Sequence, residues 1–356
     1  MQDIKPLIDA CCMCEGENGI WFIHGNLPIL FFFDFDLKKI TISKIIPIES
    51  NNMFMLFSSI VMNDNLLFLI CGNQDKSYIY NIDEDKFTEL KINGSYTNAF
   101  YGATRKHKEL HIMPFKYDNI IKVDMNKFFV ENGDNWRKLY NNMSLYINNT
   151  NCILDNGDVL APVPTTNTCL LYDLNNEVWK KIEICDINAD CTAVTYYNHK
   201  IYVFDRYDKS IKRIDMKGNI EKKVELEIVG VVLYMIGNYL IVDSVYTKDI
   251  IVFDYNLNEV KTIEKNMQSN NENLQCAFLC WYKNNDKNYV ITKSNKLIVI
   301  YDNLKTREYK LTVDNTMLSD IISSLYYIYG KKVIIENDWL NINSFIEKQV
   351  KGDKSI

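Results

Sequence analysis

Residues 10–21 read ACCMCEGENGIW, so Cys11, Cys12 and Cys14 fall within four positions. Clustered thiolates hold soft metals or exchange disulfides. The spacing is C-C-x-C, which is not the C-x-x-C knuckle of zinc sites. On a strand, Cys12 and Cys14 share one face and Cys11 takes the other. CAFLC places Cys276 and Cys280 on one face in the same way, and Cys152 and Cys191 sit in or beside comparable segments. A reduced cysteine packs as a small hydrophobe. Packing of that kind accounts for the cluster, and no metal ligand is expected.

The four histidines are His24, His107, His111 and His199. None stands at metal-ligand spacing from another or from a cysteine or carboxylate motif. H-E-x-x-H, G-x-S-x-G, a phosphate-binding loop and G-x-G-x-x-G are all absent from the chain. No catalytic residue and no cofactor is therefore expected.

These groups must be positioned by strands. The chain has 356 residues, 47% hydrophobic and 13% aromatic, with 23 Tyr and 17 Phe, a composition that favours β structure. One unit recurs along it. CLLYDLNNEVWKKIEI (169–184) is an apolar strand ending in Tyr172-Asp173, a polar turn, and a strand led by Trp179. Copies are anchored at Asp34, Asn81, Asp124, Asp215, Asp254 and Asp302, so that the seven anchors lie 39 to 49 residues apart. Asp or Asn bonds the backbone two residues on and starts the turn between two strands. A strand-rich period near 45 residues matches one blade of a propeller.

Two further strands precede each anchor, so each unit supplies strands A to D. The A strands carry small residues at matching places, among them Cys11-Cys12, Ser58-Ser59, Gly102-Ala103, Cys191-Thr192-Ala193 and Cys276-Ala277. Seven inner strands converging on one axis leave no room for bulk. The expected fold is all-β: a seven-bladed β-propeller of four-stranded blades over residues 1–314. The expected blades are about 7–49, 50–94, 95–142, 143–186, 187–226, 227–268 and 269–314. Residues 315–356 form a C-terminal strand/helix tail packed on the propeller. KKVIIE (331–336) reads as a strand, and Ile342, Phe345, Ile346 and Val350 as one face of a helix.

The repeated Tyr-Asp…Trp phrase at 172–179 and its weaker copies resemble degenerate kelch repeats of the galactose-oxidase-like group of propellers. Kelch repeats carry a Gly-Gly doublet after their second strand; here only Gly25 and Gly72 stand at that place. The resemblance implies a ligand or partner surface on one face of the ring. Its members range from protein-binding scaffolds to sugar-acting enzymes, so fold alone does not choose between them.

Propeller ligands sit on the B–C and D–A loops at the channel mouth. The B–C loops here carry His24, Asn73, Lys116, Tyr117, Asp205, Arg206, Tyr207, Tyr246 and Lys293. DRYDK (205–209) is the leading candidate, because Arg206 can bond bidentately and Tyr207 offers a stacking face. The expected function is a non-catalytic, kelch-like interaction module for a protein or carbohydrate-bearing partner. The alternative is a propeller enzyme acting on a small sugar at the central channel.

Net charge is −6, with no Lys/Arg block of the kind that marks a nucleic-acid partner. The uncharged apolar run at residues 228–242 is fifteen residues long and is divided by Gly237-Asn238, which is too short for a membrane helix. No basic run followed by an apolar stretch opens the chain. The ten cysteines are expected as reduced thiols in the cytoplasm.

Overall fold

The computed structural model describes residues 10–336 apart from 26, 49–55, 73–75, 93–99, 116, 141–151, 230, 245–248, 265–277, 285 and 293–294. Seven four-stranded antiparallel sheets are arranged as the blades of a β-propeller. Each sheet uses four consecutive strands in the order A-B-C-D. The A strands of blades 1 to 7 are Cys12–Gly16, Phe57–Asn63, Phe100–Lys106, Cys152–Ile153, Cys191–Tyr197, Val231–Ile236 and Phe278–Asn284. The D strands are Lys39–Ile45, Lys86–Leu90, Phe129–Asn135, Val178–Glu183, Ile220–Glu225, Glu259–Glu264 and Thr306–Lys310.

The anchors act locally, as their chemistry requires. Asp34, Asn81, Asp124, Asp215 and Asp254 each accept two backbone N–H groups of their own C–D turn, and Asp173 accepts that of Asn176. Blade 7 departs from this rule. Asn303 accepts the Lys305 N–H, and Asp302 instead reaches across to the Gly237 N–H of blade 6 at 3.1 Å. The turn residue there is one position later than the repeat predicts.

The small residues of the A strands have a second cause besides crowding. The A–B pairing shifts register between Phe57 and Ser59, and again between Cys191 and Ala193. A bulge at this place turns one residue out of the ladder, and a short side chain fits the bend. Ser58 uses it to donate to the Cys71 carbonyl at 3.2 Å.

Strand twist accumulates across a blade and turns its D strand toward the neighbouring blade. Lys44 of blade 1 pairs with Asp85 of blade 2, and Lys222 of blade 5 donates to Asn258 of blade 6 at 2.8 Å. Among the described residues, blades 1 and 7 close the ring without exchanging a strand. Tyr289 donates to Glu15 at 2.8 Å, and Ile40 N–H lies 3.4 Å from the Thr312 carbonyl.

The C-terminal helix, Asn315–Glu336, seals this junction. Leu318, Ile321, Ile322 and Leu325 bury against Phe31, Phe33 and Ile40 of blade 1 and Leu297, Val299 and Tyr309 of blade 7. The helix runs through residues 331–336, where a strand was expected. An isolated β-branched run cannot distinguish strand from buried helix, and the helical register starting at Asn315 decides it. The second helix expected at 342–350 lies outside the described residues. Among the described residues, no helix is long and apolar enough to cross a membrane.

Candidate functional site

The B–C loop of blade 5 lies beside the D–A loop that enters the blade, residues 184–190. Alternation on the hairpin puts Asp205, at the end of the B strand Lys200–Asp205, on the same face as Ser210 and Lys212 of the C strand Ser210–Ile214. Lys212 has 1% of its side chain exposed. Its ammonium meets Asp186 at 2.6 Å, Asp205 at 2.5 Å and Asp208 at 3.1 Å. Burial alone would lower the lysine's pKa. The hydrogen bonds it donates to the three carboxylates outweigh burial and hold the ammonium above its ordinary value. Lys212 in turn is the main cause that holds Asp186 below the usual carboxylate range.

Asp205 is used in full. Its second oxygen accepts the backbone N–H groups of Asp190 at 2.8 Å and Tyr207 at 2.9 Å. Asp190 accepts Arg206 Nε at 2.9 Å, and its other oxygen takes the Thr165 N–H of blade 4 at 2.8 Å. Two loops and two blades are thereby clamped around one buried lysine. What this frame presents to solvent is Tyr207, 73% exposed, and Ile187, 87% exposed, with the half-exposed Arg206 preceding Tyr207 in the loop.

The other expected site residues are placed differently. His24 is buried; its backbone N–H donates to the Ile29 carbonyl at 2.9 Å. Tyr117 is partly buried, its ring edge-on to Phe100 and its hydroxyl 3.3 Å from Asn132 Oδ1. Asn73, Lys116, Tyr246 and Lys293 lie outside the described residues. The structure therefore brings Asp205, Arg206 and Tyr207 together in one loop and sets His24 and Tyr117 apart from them. Ile187 and Lys212 escaped the sequence reading. An isoleucine in the polar run CDINAD was a readable signal, whereas nothing local marks Lys212.

A second charged cluster joins blades 3 and 4. His111 is fully buried, with Nδ1 3.0 Å from the Tyr172 hydroxyl and Nε2 2.7 Å from Glu109. Burial pulls its pKa below the ordinary histidine value, against the pull of Glu109 and Glu177. Glu177 accepts Lys106 at 2.8 Å and Lys122 at 3.0 Å. Glu109 and His111 are two apart on a strand, so they share a face, a spacing that a search for helical or knuckle motifs passes over. This set and Asp186-Asp205-Asp208 both have the ligand types of a metal site. In each, a lysine ammonium already occupies the space between the carboxylates, Lys122 in one and Lys212 in the other. Their chemistry is that of ion-pair clamps.

The opening cysteines pack. Cys12 and Cys14 are buried with Trp21, Leu30, Phe57 and Tyr78 between blades 1 and 2, and burial pushes the Cys14 thiol well above its usual pKa. Such a thiol is neither a ready nucleophile nor a ready ligand.

No protein-family model and no curated protein matches the chain. Solved structures do match in fold. Virginiamycin B lyase from Staphylococcus aureus aligns with TM-score 0.60 at 10% identity, over 83% of this chain and 94% of that one. The β-propeller domain of Myceliophteria thermophila Cps50 (Swd1) aligns with TM-score 0.55 at 10% identity, over 82% and 95%. Dihydro-heme d1 dehydrogenase NirN aligns with TM-score 0.54 at 10% identity, over 86% and 65%. At these identities the likeness is one of fold alone: the chain is a seven-bladed β-propeller.

Proposed function

We propose that this propeller is a non-catalytic binding module, kelch-like in its use of loops, that recognises a protein partner through the clamped loop pair of blade 5. The observation that carries the reading is the display of Ile187 and Tyr207, 87% and 73% exposed, on loops held rigid by Lys212 and Asp190. An exposed aromatic and an arginine on one loop, with an exposed aliphatic side chain on the loop clamped to it, are the make-up of a binding hot spot. Pre-organisation matters because ordering a loop on binding costs affinity. The buried charges nearby are paired with one another and are not poised for proton transfer. A protein partner is favoured over a sugar because Ile187 offers no hydrogen bond. Action in the cytoplasm is part of this proposal, on the expectation that ten cysteines without a secretion signal are reduced thiols.

The test compares the wild type with the Ile187→Asp/Tyr207→Ala double variant by quantitative affinity capture from cells of the source. The expected result is a partner enriched at least tenfold by the wild type and lost by the variant, whose melting temperature is unchanged. Equal capture by both proteins would overturn the reading, as would turnover of a sugar substrate by the purified chain.

A further inference from the structure

The D strand of blade 1, Lys39–Ile45, is the outermost strand of its sheet: its ladder is with Ile29–Asp34, and on its outer edge the Ile40 N–H meets the Thr312 carbonyl at 3.4 Å, which leaves Thr41–Lys44 as the open stretch among the described residues. An outer strand offers unpaired N–H and C=O groups along its free edge. This one lies in a walled groove of about 550 Å3. Thr41 to Lys44 line it from the strand. Tyr80, Ile82 and Asp85 of blade 2 form one wall, and Asp314, Thr316, Met317 and Asp320 at the start of the C-terminal helix form the other. The volume is within the range of ligand-binding clefts. Four strand residues span about 13 Å, enough for a short extended peptide.

The charges select the occupant. Lys44 is committed to Asp85, whose other oxygen accepts the Tyr80 hydroxyl at 2.8 Å. Asp314 uses one oxygen to cap the helix through the Met317 N–H at 2.8 Å. Asp320 is exposed on the next turn. Among the described residues, neither Asp314 nor Asp320 has a cationic partner. The groove thus carries three carboxylates against one ammonium, with Ile42, Ile82 and Met317 supplying apolar contact.

We propose that this groove binds an extended, lysine- or arginine-bearing segment of a partner protein, added as a short fifth strand along Thr41–Lys44, with its cationic side chains against Asp314 and Asp320. Main-chain pairing supplies affinity in such strand addition, and alternate side chains supply selectivity. The site is separate from the loop pair of blade 5 and does not depend on that reading.

Fluorescence anisotropy with the full chain tests it, using a labelled Lys-Val-Lys-Val-Lys probe. Two control probes accompany it: Glu-Val-Glu-Val-Glu, and the lysine peptide with alternate backbone amides N-methylated. The expected result is saturable binding of the lysine probe, at least tenfold weaker binding of the glutamate probe, and loss of binding on N-methylation. Asp320→Lys should weaken the lysine probe at least fivefold, whereas Ile187→Asp/Tyr207→Ala should leave it unchanged. Equal binding of the N-methylated probe would overturn the strand pairing. Equal binding of both charge types would overturn the charge selection. No binding of the lysine probe would overturn the site.

Discussion

The ammonium of Lys212 lies 2.5 Å from Asp205 Oδ2, with 1% of the lysine side chain and none of the aspartate side chain exposed. A buried ion pair is weak evidence of stability by itself, but removing one partner strands the other. Lys212→Met should therefore destabilise the protein by about 3–5 kcal/mol. The double variant Lys212→Met/Asp205→Asn should recover part of that loss, because the groups act as one unit. Denaturant midpoints of the two singles and the double measure this. A double variant that loses the full sum of the singles would show that the pair is not coupled.

Glu177 provides a pH test at the seam of blades 3 and 4. Hydrogen bonds from Lys106 and Lys122 are the leading causes that lower its pKa from 4.5 to about 2. The folded pKa lies below the unfolded one, so the stabilisation is complete above about pH 5 and is lost as pH falls toward 2. With a third of the side chain exposed, solvent screening reduces the effect to about 1 kcal/mol. The wild type should exceed Glu177→Gln in stability at pH 7, and the gap should close in thermal melts taken between pH 5 and pH 2. A gap that widened on acidification would contradict the assignment.

Gly218 turns the chain at φ +87, and a Cβ there would stand 1.7 Å from the Glu183 carbonyl oxygen of blade 4. Both strain and backbone collision oppose a side chain. Gly218→Ala should cost about 2–4 kcal/mol and loosen the contact between blades 4 and 5. Gly133→Ala is the milder control, since its Cβ would meet only side-chain atoms, the nearest at 3.3 Å. Melting temperatures of the two variants decide the matter. A Gly218→Ala protein as stable as its control would show that the neighbouring strand yields.

Legibility in the sequence followed the range of the interaction. The Asx turns at Asp34 or Asp124 are closed by backbone groups two and three residues away, so residue type alone announces them. Leu318, Ile321, Ile322 and Leu325, buried on one helix face, stand at helical spacing, and that periodicity outweighs the strand-like KKVIIE that follows. Blade 7 was misjudged at Asp302 because its carboxylate is claimed by Gly237, 65 positions earlier. Nothing in the local sequence carries that competition.

The sequence by itself determined the blade count, the four-strand unit and the turn chemistry, because alternation and capping act within a few residues. Only the tertiary structure decided what the polar residues do. In DRYDK, Asp205 is turned inward to Lys212, Arg206 is held by Asp190, and Tyr207 is left outside. That division arises where the D–A and B–C loops meet. It depends on Asp186 and Lys212, 26 positions apart, reaching one point in space, and the ring that brings these loops together is a global property of the chain.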